Sequence, residues 1–294
     1  MRIRLANAPV SWGIMEVEGW SPPLAPQEFL DELKAAGYTG TELGPYGYLP
    51  TDAAKLRAEL EHRSLALTSA FVPLQLKEPH AAVEPARQVA ELISVLGARH
   101  LVLADAMWPE REAIAGRVDG GAALTNAEWS TVAADIRAAA DLAGEFGLRC
   151  VFHHHAGTYF ETPAEIARLM EMTDIGLCLD TGHYIYGGGD PVEAIERFGS
   201  RVEYLHFKDV DPAKLKDAQQ RKLGFLDGVR AGVFAPLGSG CVRFPALLKA
   251  LDAIGYDGWA VVEQDVDTTT GQGPRPLDSA RESREYLRKE GLHD

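Results

Sequence analysis

The chain has 294 residues, 46% hydrophobic and 24% charged, an ordinary globular composition that excludes both intrinsic disorder and a disulfide-stapled miniprotein. Its 29 Lys and Arg against 43 Asp and Glu leave a formal net charge of −14, which repels nucleic acid and anionic membrane and disfavours both as partners. Length permits one or two domains, because α/β barrels run past about 200 residues as a single unit.

Short apolar runs and helical patterns alternate along the chain. The first strand is predicted at 3–7, and a helix at 26–36 then closes on Gly37. Strands at 39–43, 65–72 and 99–104 alternate with helices at 52–63 and 82–96, the last closing on Gly97. After a long connection, 105–125, a helix at 127–146 ends at Gly147 and leads into a strand at 148–154. The helix at 163–172 opens on Thr162-Pro163-Ala164-Glu165 and the one at 191–198 on Asp190-Pro191-Val192-Glu193. Each opening combines an N-cap side chain, Pro at the first helical position and an acid at the third. Strands at 175–180 and 202–208 flank the second of these helices, which ends at Gly199. A second long connection, 209–242, is expected to be partly helical at KLKDAQQRKLGFL. A helix at 244–254 closing on Gly255, a strand at 258–263 and a helix near 278–290 complete the chain. The five closing glycines suit the left-handed position after a helix, which L side chains resist.

Eight βα units with continuous apolar strands predict an α/β fold, a closed (β/α)8 TIM barrel forming one domain over 1–294. No G-x-G-x-x-G follows the first strand and no G-x-x-x-x-G-K-[ST] occurs, so an open nucleotide-binding sheet is disfavoured. Both long connections follow strand C-termini, where barrels build active sites. Cys150, Cys178 and Cys241 are odd in number and far apart, which suits a reducing, cytoplasmic setting. MRIRLANAPVSW meets Asn7 and Pro9 before any long apolar run, so it does not read as a secretory leader.

Five of the nine histidines fall between 153 and 206, each at or just past a predicted strand end. In VFHHHAGT the period of two puts His153 and His155 on one face and His154 on the other. LCLDTGH ends the next strand at Asp180, YLHFKD the next at His206, and AVVE the last at Glu263. A barrel converges successive strand ends, so His153 or His155 joins Asp180, His206 and Glu263 around one point. Two imidazoles and two carboxylates suit a divalent transition metal such as Mn²⁺ or Co²⁺, with Zn²⁺, Fe²⁺ and Mg²⁺ as alternatives to be tested. Taken singly, each acid would serve as well as an N-cap, but four such groups buried together without an ion would be costly.

Lys208 shares the face of His206 and either acts on substrate or pairs with Asp209 or Glu203. His183, three past Asp180, either touches substrate or bonds its own loop. Glu42, in TELGPYGYLP, is a candidate ligand or base from the opposite side, or else part of an ion pair. Trp12 and Tyr46, with Tyr48, are candidate walls for a sugar-like ligand, though most aromatics pack. Gly238-Ser239-Gly240 lacks the spacing of a nucleophile elbow, and neither H-E-x-x-H nor C-x-x-C occurs.

DTGH at Asp180, HFKD at His206 and WAVVE ending at Glu263 resemble the xylose-isomerase-like barrel enzymes, a family of keto-sugar epimerases, isomerases and dehydratases. The likeness spans nearly the whole chain. HHHAGT, GGGDP at 187–191, GSGCVRF, WAVVEQD and the early NAPVSWG most resemble the family's inosose (2-keto-myo-inositol) dehydratase branch. The resemblance implies a metal held by His153, Asp180, His206 and Glu263, with His153 standing where the epimerases carry Glu. That departure removes their two-glutamate proton shuttle. It implies a C–O lyase that dehydrates a cyclic polyhydroxy ketone through an enolate, with His155, His154 or Glu42 taking the α-proton and Lys208 or His183 assisting the hydroxyl. A keto-sugar isomerase or epimerase, or a lyase of 3-keto-glycosides, would need a similar site. The expected partner is a small polyol ketone, and barrels of this kind often form homo-oligomers.

Overall fold

Residues at alternate positions of β1 (Arg2–Asn7) face opposite sides, and the same holds for seven further parallel strands that follow it. In chain order these are β2 (Gly40–Thr41), β3 (Ala66–Leu67, resuming as Ser69–Leu74), β4 (His100–Asp105), β5 (Arg149–His153), β6 (Gly176–Asp180), β7 (Val202–Phe207) and β8 (Asp257–Val262). The computed structural model describes all residues except 18–19, 21–23, 79–82, 120–122, 271–273 and 294.

Neighbouring strands run β3-β2-β1-β8-β7-β6-β5-β4-β3. The predicted strand 65–72 is therefore two segments on either side of Thr68, the first paired with β2 and the second with β4. Thr68 N–H still donates to Thr41 O at 2.9 Å and Leu43 N–H to Ser69 O at 3.1 Å, so the seam is bonded and the sheet closes on itself. β2 forms only two residues of ladder where 39–43 was expected, because the chain turns away at Gly44.

Eight helices follow the strands on the outside: α1 (Pro26–Ala35), α2 (Ala53–Arg63), α3 (Glu84–Val95), α4 (Asn126–Glu145), α5 (Pro163–Met172), α6 (Pro191–Phe198), α7 (Phe244–Ala253) and α8 (Pro276–Lys289). Thr162 and Glu165 form the predicted reciprocal cap on α5, and Asp190 accepts the Val192 N–H at 2.9 Å to cap α6. The first predicted residue of α3, 82, lies outside the described residues. Among the described residues no helix is long and apolar enough to cross a membrane.

The alternation sorts the core into two layers. Leu101, Leu103, Phe152, Leu179, Leu205 and Phe207 point outward and pack beneath the helices. Val102, Val151, Cys178, Tyr204 and Val261 point inward and fill the barrel with Ala6 and Ala8. Continuing the inward series of β5 to β8 by two residues, from Val151, Cys178, Tyr204 and Val261, reaches His153, Asp180, His206 and Glu263.

Both long connections rise over this end. The first carries a short helix, Pro109–Glu112, held down by a buried bidentate pair from Arg111 to Glu165 at 2.8 and 3.0 Å. The second carries helices Pro212–Gln220 and Phe225–Arg230, and residues 209–210 form a small antiparallel ladder with 234–235. Asp209 secures its return by accepting the N–H groups of Gly238, Gly240 and Val242.

Candidate metal centre

Asp180 ends β6 and caps the turn that follows. Its Oδ1 accepts the His183 N–H at 2.8 Å, which commits one oxygen and leaves Oδ2 without a hydrogen-bond partner, fully buried. Around that oxygen stand His153 Nε2 at 3.6 Å, His206 Nδ1 at 3.8 Å and Lys208 Nζ at 3.3 Å. Glu263 Oε2 lies 3.2 Å from both His206 Nδ1 and Lys208 Nζ. Each of His153, Asp180, His206 and Glu263 offers a ligand atom, and these four atoms lie within 4.8 Å of one another. A divalent cation fits this set, because Asp180 Oδ2 and His206 Nδ1 are buried, aimed inward and held only by ion pairs within the cluster, with no hydrogen bond to anything outside it.

His206 is oriented from behind. Its Nε2 lies 3.0 Å from Glu42 Oε1, which also accepts the Ser69 hydroxyl at 2.7 Å. Glu42 thus backs a candidate ligand from β2, across the barrel. Lys208 has neither of its expected partners, since Asp209 is committed to its loop and Glu203 pairs with Arg149 at 2.6 Å. Instead Nζ donates to Asp265 Oδ1 at 2.8 Å and lies 2.9 Å from His183 Nε2. Its stem needs Gly182: a Cβ there would stand 2.7 Å from Lys208 Cγ, so the glycine of DTGH leaves room for the side chain.

His155, His183 and Asp265 form a second close trio whose candidate ligand atoms lie within 4.8 Å of one another. The Lys208 ammonium already provides a positive charge against two of the three. His155 Nδ1 lies 2.6 Å from its neighbour's carbonyl, Ala156 O; a carbonyl only accepts, so Nδ1 carries the hydrogen and Nε2 is bare.

The field of these groups separates the acids. Burial alone would raise Asp180, but Lys208, His183 and His153 outweigh it and hold this carboxyl well below the usual range. Burial likewise opposes His206 and Lys208 at Glu263, where the cations prevail and hold it at about 2. At Asp265 burial prevails over Lys208 and lifts the carboxyl to about 6. Burial, then His153 and Lys208, push His155 down to about 3, so its ring is neutral near pH 7.

The site opens into a cavity of about 390 Å³, a size that takes small metabolites. Pro9, Phe71, Met107, Phe225 and Leu226 wall it above the charged floor, and His153, His155, His183, His206, Lys208, Glu42 and Glu263 all reach it. Four candidates from the sequence stand elsewhere, among them Tyr48, whose hydroxyl donates to Leu24 O at 2.9 Å and whose ring meets Phe29 edge-on. His154 faces the helix layer, accepts the Asp180 N–H through Nε2 at 3.2 Å and meets Tyr184 edge-on, as alternation along β5 requires. Trp12 is buried against Phe29 and donates to Glu32 on α1 at 2.7 Å. Tyr46 is 48% exposed and does not line the cavity. Conversely, Asp265, Asp105 and Glu16 line it without having been singled out by sequence. Asp265 lay within reach of the strand period, two residues past Glu263.

A parallel eight-stranded barrel with this set at the C-terminal ends of β5 to β8 defines a barrel with a candidate metal centre at its mouth, and comparison places it. The Xylose isomerase-like TIM barrel model matches residues 30–290, and the chain belongs to that family. It is 36% identical over 98% of its length to 88% of the rhizopine catabolism protein MocC of Rhizobium meliloti. It is 32% identical to inosose dehydratase of Lacticaseibacillus casei, covering 98% of this chain and 97% of that one. Among solved structures, an L-ribulose 3-epimerase superposes with a TM-score of 0.70 at 19% identity over 99% of this chain and 94% of its own, a likeness of fold.

Proposed function

We propose that this protein is a metal-dependent C–O lyase that removes water from a cyclic polyhydroxy ketone of the 2-keto-myo-inositol type, as a cytoplasmic enzyme of inositol catabolism. One observation carries the reading: the inward series of β5 to β8 end in His153, Asp180, His206 and Glu263, whose ligand atoms lie within 4.8 Å of one another, beside the pair Lys208 and Asp265. Relatives named inosose dehydratase, 30–32% identical over nearly the full chain, support the choice of reaction.

A divalent ion in this set, Mn²⁺ or Co²⁺ by preference, would polarise the ketone and stabilise the enolate. The chain's own groups handle the protons. Asp265, with Oδ2 unpartnered and a pKa near 6, takes the α-proton. Lys208 donates to the departing β-hydroxyl, which leaves as water, and the 2.8 Å contact between the two returns the proton from Asp265 to Lys208. His155 Nε2 and His183 hold substrate hydroxyls beside them, while Phe225 and Leu226 limit water. His153, in place of a second glutamate, leaves no carboxylate on β5 to shuttle a proton between faces, which disfavours epimerisation.

Incubating the protein with 2-keto-myo-inositol and Mn²⁺ and weighing the product tests this. A product lighter by one water, with new ultraviolet absorption, is expected. Unchanged mass would make it an isomerase, and no reaction would shift the reading to a 3-keto-glycoside lyase.

A further inference from the structure

Beneath the candidate metal centre, inside the barrel, runs a buried line of hydroxyls that the chemistry above does not use. Ser69 Oγ lies 2.7 Å from Glu42 Oε1 and 2.8 Å from Tyr204 Oη; Tyr204 Oη lies 2.9 Å from Thr68 Oγ1; Thr68 Oγ1 lies 3.2 Å from Thr41 O. Ser69 and Tyr204 are fully buried, and Thr68 and Glu42 nearly so. The line therefore crosses the seam between β2 and β3 and ends on β7, two residues before His206.

Hydrogen counting gives the line a direction. The Thr41 carbonyl only accepts, so the Thr68 hydroxyl is spent there. Tyr204 has one hydrogen, shared between two oxygens that can receive it. The Glu42 carboxylate also only accepts, so at 2.7 Å it receives the Ser69 hydrogen. With Oε1 held as an acceptor, the contact with His206 Nε2 at 3.0 Å must be an N–H donated by the ring. A divalent ion bound at Nδ1 takes the place of the proton that the facing Asp180 and Glu263 carboxylates favour there, so the loaded ring keeps one hydrogen, on Nε2, and offers the Nδ1 lone pair to the ion.

We infer that Ser69 and Tyr204 are positioning residues that fix the tautomer and tilt of His206 through Glu42, and so set the affinity of the centre for a divalent ion. The inference rests on the metal-dependent reading. Without the Ser69 hydroxyl nothing holds Oε1 against Nε2 from the far side, and the ring gains access to the Nδ1–H tautomer, which cannot bind a cation. Outer partners of metal-bound histidines carry effects of this size and kind.

Zinc affinity by chelator competition, and nitrogen NMR of ¹⁵N-histidine in the zinc-loaded protein, test it without reference to turnover. Wild type should show one ring with Nε2–H and bound Nδ1. Ser69→Ala should weaken zinc binding about tenfold and broaden or shift that signature. Tyr204→Phe, which removes one oxygen and keeps the ring, should act in the same direction with a smaller loss. Should Ser69→Ala fail to fold, Tyr204→Phe decides. Wild-type affinity and an unchanged Nε2–H signal in the folded variants would overturn the inference while leaving the metal reading intact. A wild-type protein that binds no divalent ion would overturn the metal reading itself and this inference with it.

Discussion

The two halves of the barrel meet the cavity differently. From β5 to β8 come His153, His206, Lys208, Glu263 and Asp265, with Asp180 against His153 and His206, and one oxygen each of Asp180 and Asp265 lacks a hydrogen bond. From β1 to β4 come Pro9, Phe71 and Pro73, and their two buried acids are already committed. Glu42 receives Ser69 and His206, and Asp105 receives Trp108 Nε1 together with the N–H groups of Tyr159 and Leu76. One half therefore offers unsatisfied charge, and the other spends its polar atoms holding the first half and its loops in place. An acid counts toward the site by what its oxygens still lack, and burial alone does not distinguish the two.

Replacing ligands should give the largest effects. Asp180→Asn keeps an N-cap side chain for the turn at Thr181–Tyr186 but loses the charge, and Glu263→Gln loses it on the neighbouring strand. Each should lower metal affinity by more than about 100-fold, beyond what outer partners cause, and reduce activity to background with the fold retained. Metal content by mass spectrometry and a melting curve check both. Glu42→Gln, on the other half, should cost only about tenfold in affinity; a loss equal to that of Asp180→Asn would erase the distinction between the halves.

Lys208→Met should come next. It leaves Asp265 and Asp180 buried without their cation, a cost of about 3–5 kcal/mol in denaturant unfolding, and removes the proposed proton donor, lowering kcat by about 10²–10³. His153→Ala should weaken metal binding while His154→Ala, on the opposite face of β5, should mainly lower stability. The reverse ranking in a metal-binding assay would contradict the register of that strand.

These halves were unequally legible in the sequence. The strands and helices announce themselves through local signals, as in Thr162-Pro163-Ala164-Glu165 and the glycines after helices, and the alternation in LCLD, YLHFK and AVVE carries directly into the site. The same alternation leads on from Glu263 to Asp265. The supporting half has no such signature: Ser69 and Asp105 matter through partners on other strands and loops, and no spacing reports a contact between Ser69 and Tyr204 across the barrel. Trp12 is similar, because its indole finds Glu32 on α1 and the core in place of a ligand. The break of β3 at Thr68 comes from closing the barrel and has no local cause.

The effect with the least bearing on the metal lies where the two long connections meet. Glu161, buried after β5, accepts Gly116 N–H at 2.6 Å and Gly157 N–H at 2.7 Å, and Gly116 O in turn accepts the Gln219 amide at 3.0 Å. One carboxyl thus ties the first connection to the β5 loop and, through Gly116, to the second connection. Burial lifts its pKa to about 7 from the usual 4.5, against the pull of the two N–H groups. Between these values the folded chain holds a proton that the unfolded chain has released, so stability falls as pH rises. The contribution is present in full below about pH 4.5, is lost through pH 7, and is constant above it; the shift corresponds to about 3 kcal/mol. Glu161→Gln cannot titrate, so the gap in unfolding free energy between wild type and variant should move against wild type by about that amount between pH 4.5 and 8. Urea unfolding across this range reads the slope independently of any metal. A gap that stays constant with pH would mean that Glu161 is ionised throughout, and that its two N–H donors outweigh its burial.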